Sequence, residues 1–226
     1  MTDRLCFADP GEAADLAAFL GRLVHYDRAA AVRLQAGGGA LAVFGRPPSF
    51  EVLAVRAVRL AEPAELDLTV SAGELLETIE ESAATAKVPG AVTGPPWAGV
   101  LPPRGGWRPV SGVPEAEAMR AVVGAAVAEF RSRDEALPAE ERTRSARDRI
   151  GREIWSRTLA GTELPLRAVH AAQSLGFLRP AASGPVAVAV LTSGSWLRLR
   201  TPYGSVVIRR PGGATGGLGA LQVSPV

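Results

Sequence analysis

The interpretation of the C-terminal half depends on the stretch LPLRAVHAAQSLGFL, residues 164–178. Pro165 suits the first turn of a helix and Gly176 suits its end, so the stretch predicts one short helix. Four apolar residues recur at helical spacing and form its inner side: Leu166, Val169, Ala172 and Leu175. The outer side is formed by Arg167, His170, Ala171 and Ser174. Such a helix is either the recognition helix of a DNA-binding module or an amphipathic helix that closes a core.

The elements on both sides of this stretch follow the order that the first interpretation requires. Residues 138–159 predict a preceding helix, with Pro138 at its start, an Arg-rich body and a buried face that ends near Leu159. Residues 185–191, 196–201 and 205–210 predict strands, and the last two are joined by the turn TPYG. The order helix, turn, helix and basic β-hairpin resembles a winged-helix module. This resemblance implies that the second helix enters the major groove and that the hairpin contacts phosphates.

The resemblance assigns nucleic-acid contacts to both elements. The residues that would face the groove are Arg167, His170 and Ser174, and those that would meet phosphates are Arg198, Arg200, Arg209 and Arg210. Strand geometry places Trp196, Arg198 and Arg200 on one face of their strand, opposite Leu197 and Leu199. An arginine and tryptophan strip of this kind suits phosphate contact or stacking on an exposed base. The alternative is a structural lobe, because the outer side of 165–175 has one Arg and one His and residues 185–191 are more apolar than a wing strand needs.

The N-terminal segment predicts a mostly antiparallel sheet with two helices. Residues 4–9, 30–35, 40–45, 51–60 and 66–70 have strand patterns, and Asp9-Pro10 and Ser71-Ala-Gly-Glu74 are helix starts. The fold class is therefore α+β, with a C-terminal helical lobe that ends in a β-hairpin. The N-terminal element order also resembles one half-repeat of a DNA sliding clamp, from which the Arg-rich helices of the second half depart.

A segment rich in Pro and Gly divides the chain. Residues 89–114 contain seven Pro and six Gly, so regular structure is not expected there. We predict an acidic lobe at 1–88, a linker at 89–113, an Arg-rich lobe at 114–210 and a flexible tail at 211–226. Trp97 and Trp107 are costly to leave in water, so they either hold the linker on a core or dock on a protein partner.

The charge is distributed unevenly along the chain. Residues 1–130 have 11 basic and 16 acidic side chains, whereas residues 131–226 have 14 and 7, and no acidic residue follows Glu163. A basic half on an acidic half is the pattern expected of a polyanion-binding protein, or of a surface whose ion pairs lie across the two halves. The N-terminal MTDRLCF lacks an apolar signal region and no apolar run approaches a bilayer span, which predicts a cytoplasmic protein without membrane contact.

No catalytic or metal motif is complete. Cys6 and His25 lack a visible third group, and one Cys with two His is a poor zinc inventory. Four glutamates between 74 and 81 favour a solvated helix face over a cation site, and no Gly-rich phosphate loop is present. We therefore predict a non-enzymatic regulatory or interaction protein, without cofactor, whose basic lobe contacts nucleic acid, DNA before RNA. The alternatives are an adaptor for an acidic protein or a second copy, and a small-molecule binder or enzyme with a cleft between the lobes.

Overall fold

Local sequence signals set the helix starts in the structure, a computed structural model that describes residues 3–97, 99–181 and 183–210. The Asp9 carboxylate accepts a hydrogen bond from the Glu12 amide at 3.0 Å and caps the first helix. The Ser71 hydroxyl accepts from the Glu74 amide at 3.3 Å and caps the second. The five helices are α1 (Pro10–Tyr26), α2 (Ala72–Glu77), α3 (Ala116–Glu135), α4 (Arg144–Ser156) and α5 (Leu166–Ser174).

The strands form one large antiparallel sheet and one small one. In chain order they are β1 (Arg4–Cys6), β2 (Ala31–Gly37), β3 (Ala40–Gly45), β4 (Leu53–Arg59), β5 (Leu66–Ser71), β6 (Ile79–Glu80), β7 (Thr85–Lys87), β8 (Arg108–Pro109), β9 (Ala189–Ser193), β10 (Trp196–Thr201) and β11 (Gly204–Arg209). The large sheet has the order β5-β2-β3-β4-β11-β10-β9-β8, and the small one has the order β1-β7-β6. The predicted α+β class is confirmed.

The two halves of the chain share the large sheet. β4 pairs with β11 in antiparallel register, with Val55 opposite Ser205 and Leu53 opposite Val207. The hairpin β10–β11 therefore lies inside an eight-stranded sheet, between the N-terminal strands and β9.

All five helices pack on one face of this sheet or beside it. The main core contains Leu16 and Phe19 of α1, Val169 of α5, and Leu197 and Leu199 of β10. α5 packs on β10 and β11 and also contacts α3 and α4. The helix layer and the sheet thus enclose one continuous core.

The opposite side of the sheet, which we call the open face, has a smaller apolar cluster. Residues 92–97 and 99–107 cross this face, and we call them the strap. Trp97 of the strap lies buried against Phe44, Leu53 and Val207. The Val92 amide donates to the Thr69 carbonyl at 2.9 Å, which holds the start of the strap at the β5 edge.

Two elements start four or more residues away from the sequence prediction. α4 begins after Thr143, whose hydroxyl accepts from the Ala146 amide at 3.2 Å, whereas the prediction started this helix at Pro138. The residues between form a short 3-10 turn, Ala139–Glu141. β9 spans Ala189–Ser193, four residues beyond the predicted start, because its pairing with β10 joins Ala189 to Arg200.

Among the described residues, every helix is too short or too polar to span a lipid bilayer.

Candidate nucleic-acid interface

Strand β10 presents alternate side chains to the two faces of the sheet, as its sequence predicts. Leu197 and Leu199 are buried in the main core. Trp196, Arg198 and Arg200 therefore lie on the open face. Cross-strand partners share a face, so Val207 and Arg209 of β11 lie beside them. We call Trp196, Arg198, Arg200 and Arg209, together with Trp107 of the strap, the basic sheet face.

Arg198 is the most unusual group of the basic sheet face. Its guanidinium carbon lies 5.8 Å from the centre of the Trp107 ring, within the range of a cation–π contact. Its Nε is buried and has no hydrogen-bond partner in the described part of the chain. Burial lowers the pKa of Arg198, and the neighbouring Arg200 charge lowers it further. The side chain is thus a half-buried cation beside a second cation.

The other two arginines extend this cationic strip. Arg209 places its guanidinium carbon 4.7 Å from the centre of the Trp196 ring and donates to the Gly99 carbonyl at 2.5 Å. Arg200 is exposed and lies two residues from Arg198 on the same strand. An arginine strip with aromatic rings beside two of its members can bind both phosphates and unpaired bases.

Acidic residues are rare on this side of the molecule. Strands β8, β9, β10 and β11 come from residues 82–114 and 164–210, two segments without a single Asp or Glu. On the described strands of the large sheet, the open face has one carboxylate, Asp67 at the far edge, and Arg33 pairs with it at 2.8 Å. The charge of the basic sheet face is therefore not neutralised by its own sheet.

The predicted groove residues of α5 lie in the helix layer. The His170 ring stacks on Trp155 with centroids 4.3 Å apart and meets the Phe50 ring edge-on at 5.1 Å. Arg167 lies 3.9 Å from the Glu51 carboxylate, and Ser174 is half-buried. In this arrangement the outer side of α5 contacts the N-terminal half and α4.

The remaining predicted contacts separate into two groups. Arg210 pairs with Glu163 at 3.1 Å and donates to Thr192 at 2.6 Å. Its charge is therefore neutralised, and it is not part of the basic sheet face. Trp97 is buried in the small cluster, which leaves its ring no room to dock on a partner in this conformation. Trp107 is half-buried and donates its Nε1 hydrogen to the Pro103 carbonyl at 3.0 Å. Their role in partner binding stays a prediction.

The candidate catalytic and metal-binding residues of the sequence do not form a site in the described structure. Cys6 lies in β1 and His25 is exposed near the end of α1. Glu74, Glu77, Glu80 and Glu81 are all exposed. Within residues 3–97, 99–181 and 183–210, no cluster of three or more His, Cys, Asp or Glu side chains could hold a metal ion.

Three exposed arginines of the strap region and the β3–β4 loop were not among the candidate site residues predicted from the sequence. Arg104 and Arg108 are exposed near Trp107, and Arg46 is exposed after β3. The signal for the first two was present, because residues 82–114 lack acidic residues just as residues 164–226 do. No sequence signal marks Arg46, which the fold places near Arg209 across the sheet.

Comparison with known proteins gives two partial matches. No curated protein matches the chain. Neither family match is to a winged-helix module or a sliding clamp. Residues 1–99 are similar to the domain of unknown function DUF8010, and residues 102–213 are similar to the domain of unknown function DUF8185.

Proposed function

We propose that the protein binds nucleic acid through the basic sheet face. The observation that supports this most is the state of Arg198, a half-buried guanidinium that has Arg200 beside it and no carboxylate on the described strands around it. Removing a cation from water without a counter-charge is unfavourable. A bound phosphate would supply that charge.

The shape of the surface supports an extended polyanion over a single ion. Arg200 and Arg198 follow one another along β10, and Arg209 is the cross-strand neighbour of Trp196 at the other end. Three guanidinium groups thus lie along one strip of the sheet. Arginine binds phosphate with a planar fork of donors, which makes it suited to a nucleic-acid backbone.

The tryptophans favour a surface that also contacts bases. Trp107 and Trp196 are half-buried, so each retains exposed ring area next to an arginine. Aromatic stacking on bases contributes about 1–3 kcal/mol per base and tolerates any sequence. Binding by the sheet needs no rearrangement of α5, whereas a winged-helix mode requires His170 to leave its contacts with Trp155 and Phe50. The sheet is therefore the contact element we propose, with DNA as the first target.

The test is fluorescence anisotropy of labelled DNA, single-stranded and duplex, titrated with the protein from about 50 to 200 mM salt. If three arginines each contact a phosphate, log K should fall against log salt with a slope of about −2.7 for duplex and about −2.1 for single strands. Arg198→Gln should weaken binding about tenfold, since a hydrogen bond to a charged group contributes about 1.5 kcal/mol.

The chain offers a matched control with the same change in net charge. Replacing Arg198, Arg200 and Arg209 together by Gln should abolish binding. Replacing Arg133, Arg147 and Arg157 by Gln should leave it unchanged, because those arginines are already paired with Glu153, Asp134 and Glu129. Equal losses in both triple variants would show non-specific charge attraction, and no binding to DNA or RNA at 50 mM salt would overturn the proposal.

A further inference from the structure

A cleft lies between the two halves, at the end of the sheet where the strap crosses. Its volume is about 930 Å³, within the range of small-molecule sites. Three parts of the chain form its walls: residues from 27–31 and 46–53 of the N-terminal half, residues 93–95, 99 and 100 of the strap, and residues 167, 196 and 207–209 of the C-terminal half. The site thus exists only when both halves share one sheet.

The walls of the cleft contain three arginines from three different elements. Arg46 follows β3, Arg167 lies in the first turn of α5, and Arg209 ends β11. Two carboxylates also line it, and one of them, Asp27, accepts a hydrogen bond from the Ala29 amide at 2.9 Å. The other, Glu51, is mostly exposed and lies 3.9 Å from Arg167, at the limit of an ion pair. The cleft therefore has an excess of cationic groups.

Arg167 is the least satisfied of these groups. Its side chain is three-quarters buried, and its Nε has no hydrogen-bond partner among the residues described. Its neighbour Glu51 adopts a φ of 52°, a left-handed conformation that is uncommon for a residue other than glycine. Backbone strain and an unpaired buried donor on the same wall are features that cluster at ligand sites.

The remaining lining is apolar and aromatic. Trp196, Leu53, Val100 and Val207 line the cleft beside the arginines. A ligand that fits has an anionic group for the guanidinium groups and a flat or apolar body for Trp196. The combination and the volume match a nucleotide-sized organic phosphate.

We infer that this cleft binds the phosphate and base of a single nucleotide, with Arg167 and Arg46 on the phosphate. The nucleotide has two sources, a free mononucleotide or the phosphorylated end of a strand bound on the basic sheet face. The second source rests on the proposed function, because Trp196 and Arg209 belong to both surfaces. The first source does not depend on it.

The experiment uses calorimetric titration of the full chain with AMP and with adenosine, and anisotropy of dT12 with and without a 5′-phosphate. We expect AMP to bind with a Kd below about 1 mM and adenosine to bind at least tenfold more weakly. For the strand-end source, the 5′-phosphate should raise dT12 affinity at least threefold. The variants R167Q and R46Q should lose both phosphate effects, while R149Q, which changes an exposed arginine of α4, should keep them.

The AMP and dT12 titrations distinguish the two sources of the nucleotide. They also distinguish the cleft site from the proposed binding on the basic sheet face. AMP binding without a 5′-phosphate effect assigns the cleft to free nucleotides, and the converse assigns it to strand ends. R46Q alters an exposed side chain, so its result does not depend on a buried substitution. AMP binding that survives in a double variant with Arg198→Gln and Arg200→Gln would support the cleft even if the proposed function failed for longer strands, because neither arginine lines the cleft. Absence of AMP binding at 5 mM together with no 5′-phosphate effect would overturn the inference.

Discussion

Arg56 and Arg198 lie on central strands of the same sheet, on opposite faces. The charge of Arg56 is paired with carboxylates, whereas, among the described residues, that of Arg198 is not. Arg56 of β4 is 4% exposed, and its guanidinium lies 2.8 Å from Glu12 and 3.3 Å from Asp15 of α1. Arg198 of β10 is half-buried on the open face without a carboxylate partner in the described structure. One arginine is neutralised within the fold, and the other is not.

The same contrast holds for the rest of each side. In the helix layer, Arg133 pairs with Glu153 at 2.7 Å, and Arg179 pairs with Asp15 at 2.5 Å beneath Tyr203. On the basic sheet face, Arg200 and Arg209 have no acidic partner within the described residues. The number of arginines in a segment therefore does not locate a binding surface. The position of the carboxylates decides which arginines are neutralised within the fold.

The largest expected effect of this contrast is on stability. Arg56→Met removes the buried guanidinium that joins Glu12 and Asp15. Glu12 keeps Arg59 and Asp15 keeps Arg179 as partners, so the cost is that of losing charged hydrogen bonds at a buried site, about 2 kcal/mol. For a chain of this size that corresponds to a fall in Tm of about 6 °C, measured by circular dichroism or calorimetry. It also removes the hydrogen bond at 3.3 Å to the Pro202 carbonyl, which links β4 to the β10–β11 turn.

The matched variant on the other face is Arg198→Met, which keeps a long apolar side chain beside Trp107. We expect its Tm to equal or slightly exceed that of the wild type, because a poorly solvated cation is removed and no carboxylate is left unpaired. If Arg198→Met destabilised the protein as much as Arg56→Met, the open-face arginine would be structural and the contrast would fail.

Much of the fold could be predicted from local patterns. The alternation in WLRLRT placed Leu197 and Leu199 inside and the arginines outside, and Asp9-Pro10 marked the start of α1. These features depend on neighbours within a few residues, which is the range over which strand and helix periodicity acts. The predicted start of α4 was wrong because Pro138 and Thr143 both suit the start of a helix, and only the packed structure selects Thr143.

The candidate site could be predicted only in part. Trp196, Arg198, Arg200 and Arg209 follow from one hairpin, whereas the pairing of Arg210 with Glu163 spans 47 residues. The sandwich of His170 between Trp155 and Phe50 requires the N-terminal half to reach α5, and no local pattern shows that. The β4–β11 pairing that brings Arg46 near Arg209 is equally long-range.

An intermediate effect concerns the titration of Glu153, which pairs with Arg133 and Arg157. The hydrogen bond from Arg133, with help from Arg157, holds the pKa of Glu153 at about 2. Its folded-state pKa lies below the unfolded value, so its contribution to stability is present above about pH 4.5 and is lost as the pH falls toward 2. NMR titration of the carboxyl group should give a pKa more than one unit higher in Arg133→Gln, and the same pKa in Arg198→Gln. An ordinary Glu153 pKa in the wild type would contradict the pairing.

The smallest effect concerns His170, which tests whether α5 belongs to the fold or to the interface. Burial lowers the pKa of His170, so the unfolded state takes up a proton at a higher pH than the folded state. Stability should therefore fall as the pH drops below about 6.5, and the Tm difference between pH 7.5 and 5.5 should shrink in His170→Gln but not in His25→Gln, which alters an exposed histidine. Because the His170 ring packs between Trp155 and Phe50, His170→Gln should leave DNA affinity unchanged at pH 7.5. A tenfold loss of affinity in that variant, with its Tm unchanged, would place α5 in the DNA major groove and favour the winged-helix mode over binding by the sheet.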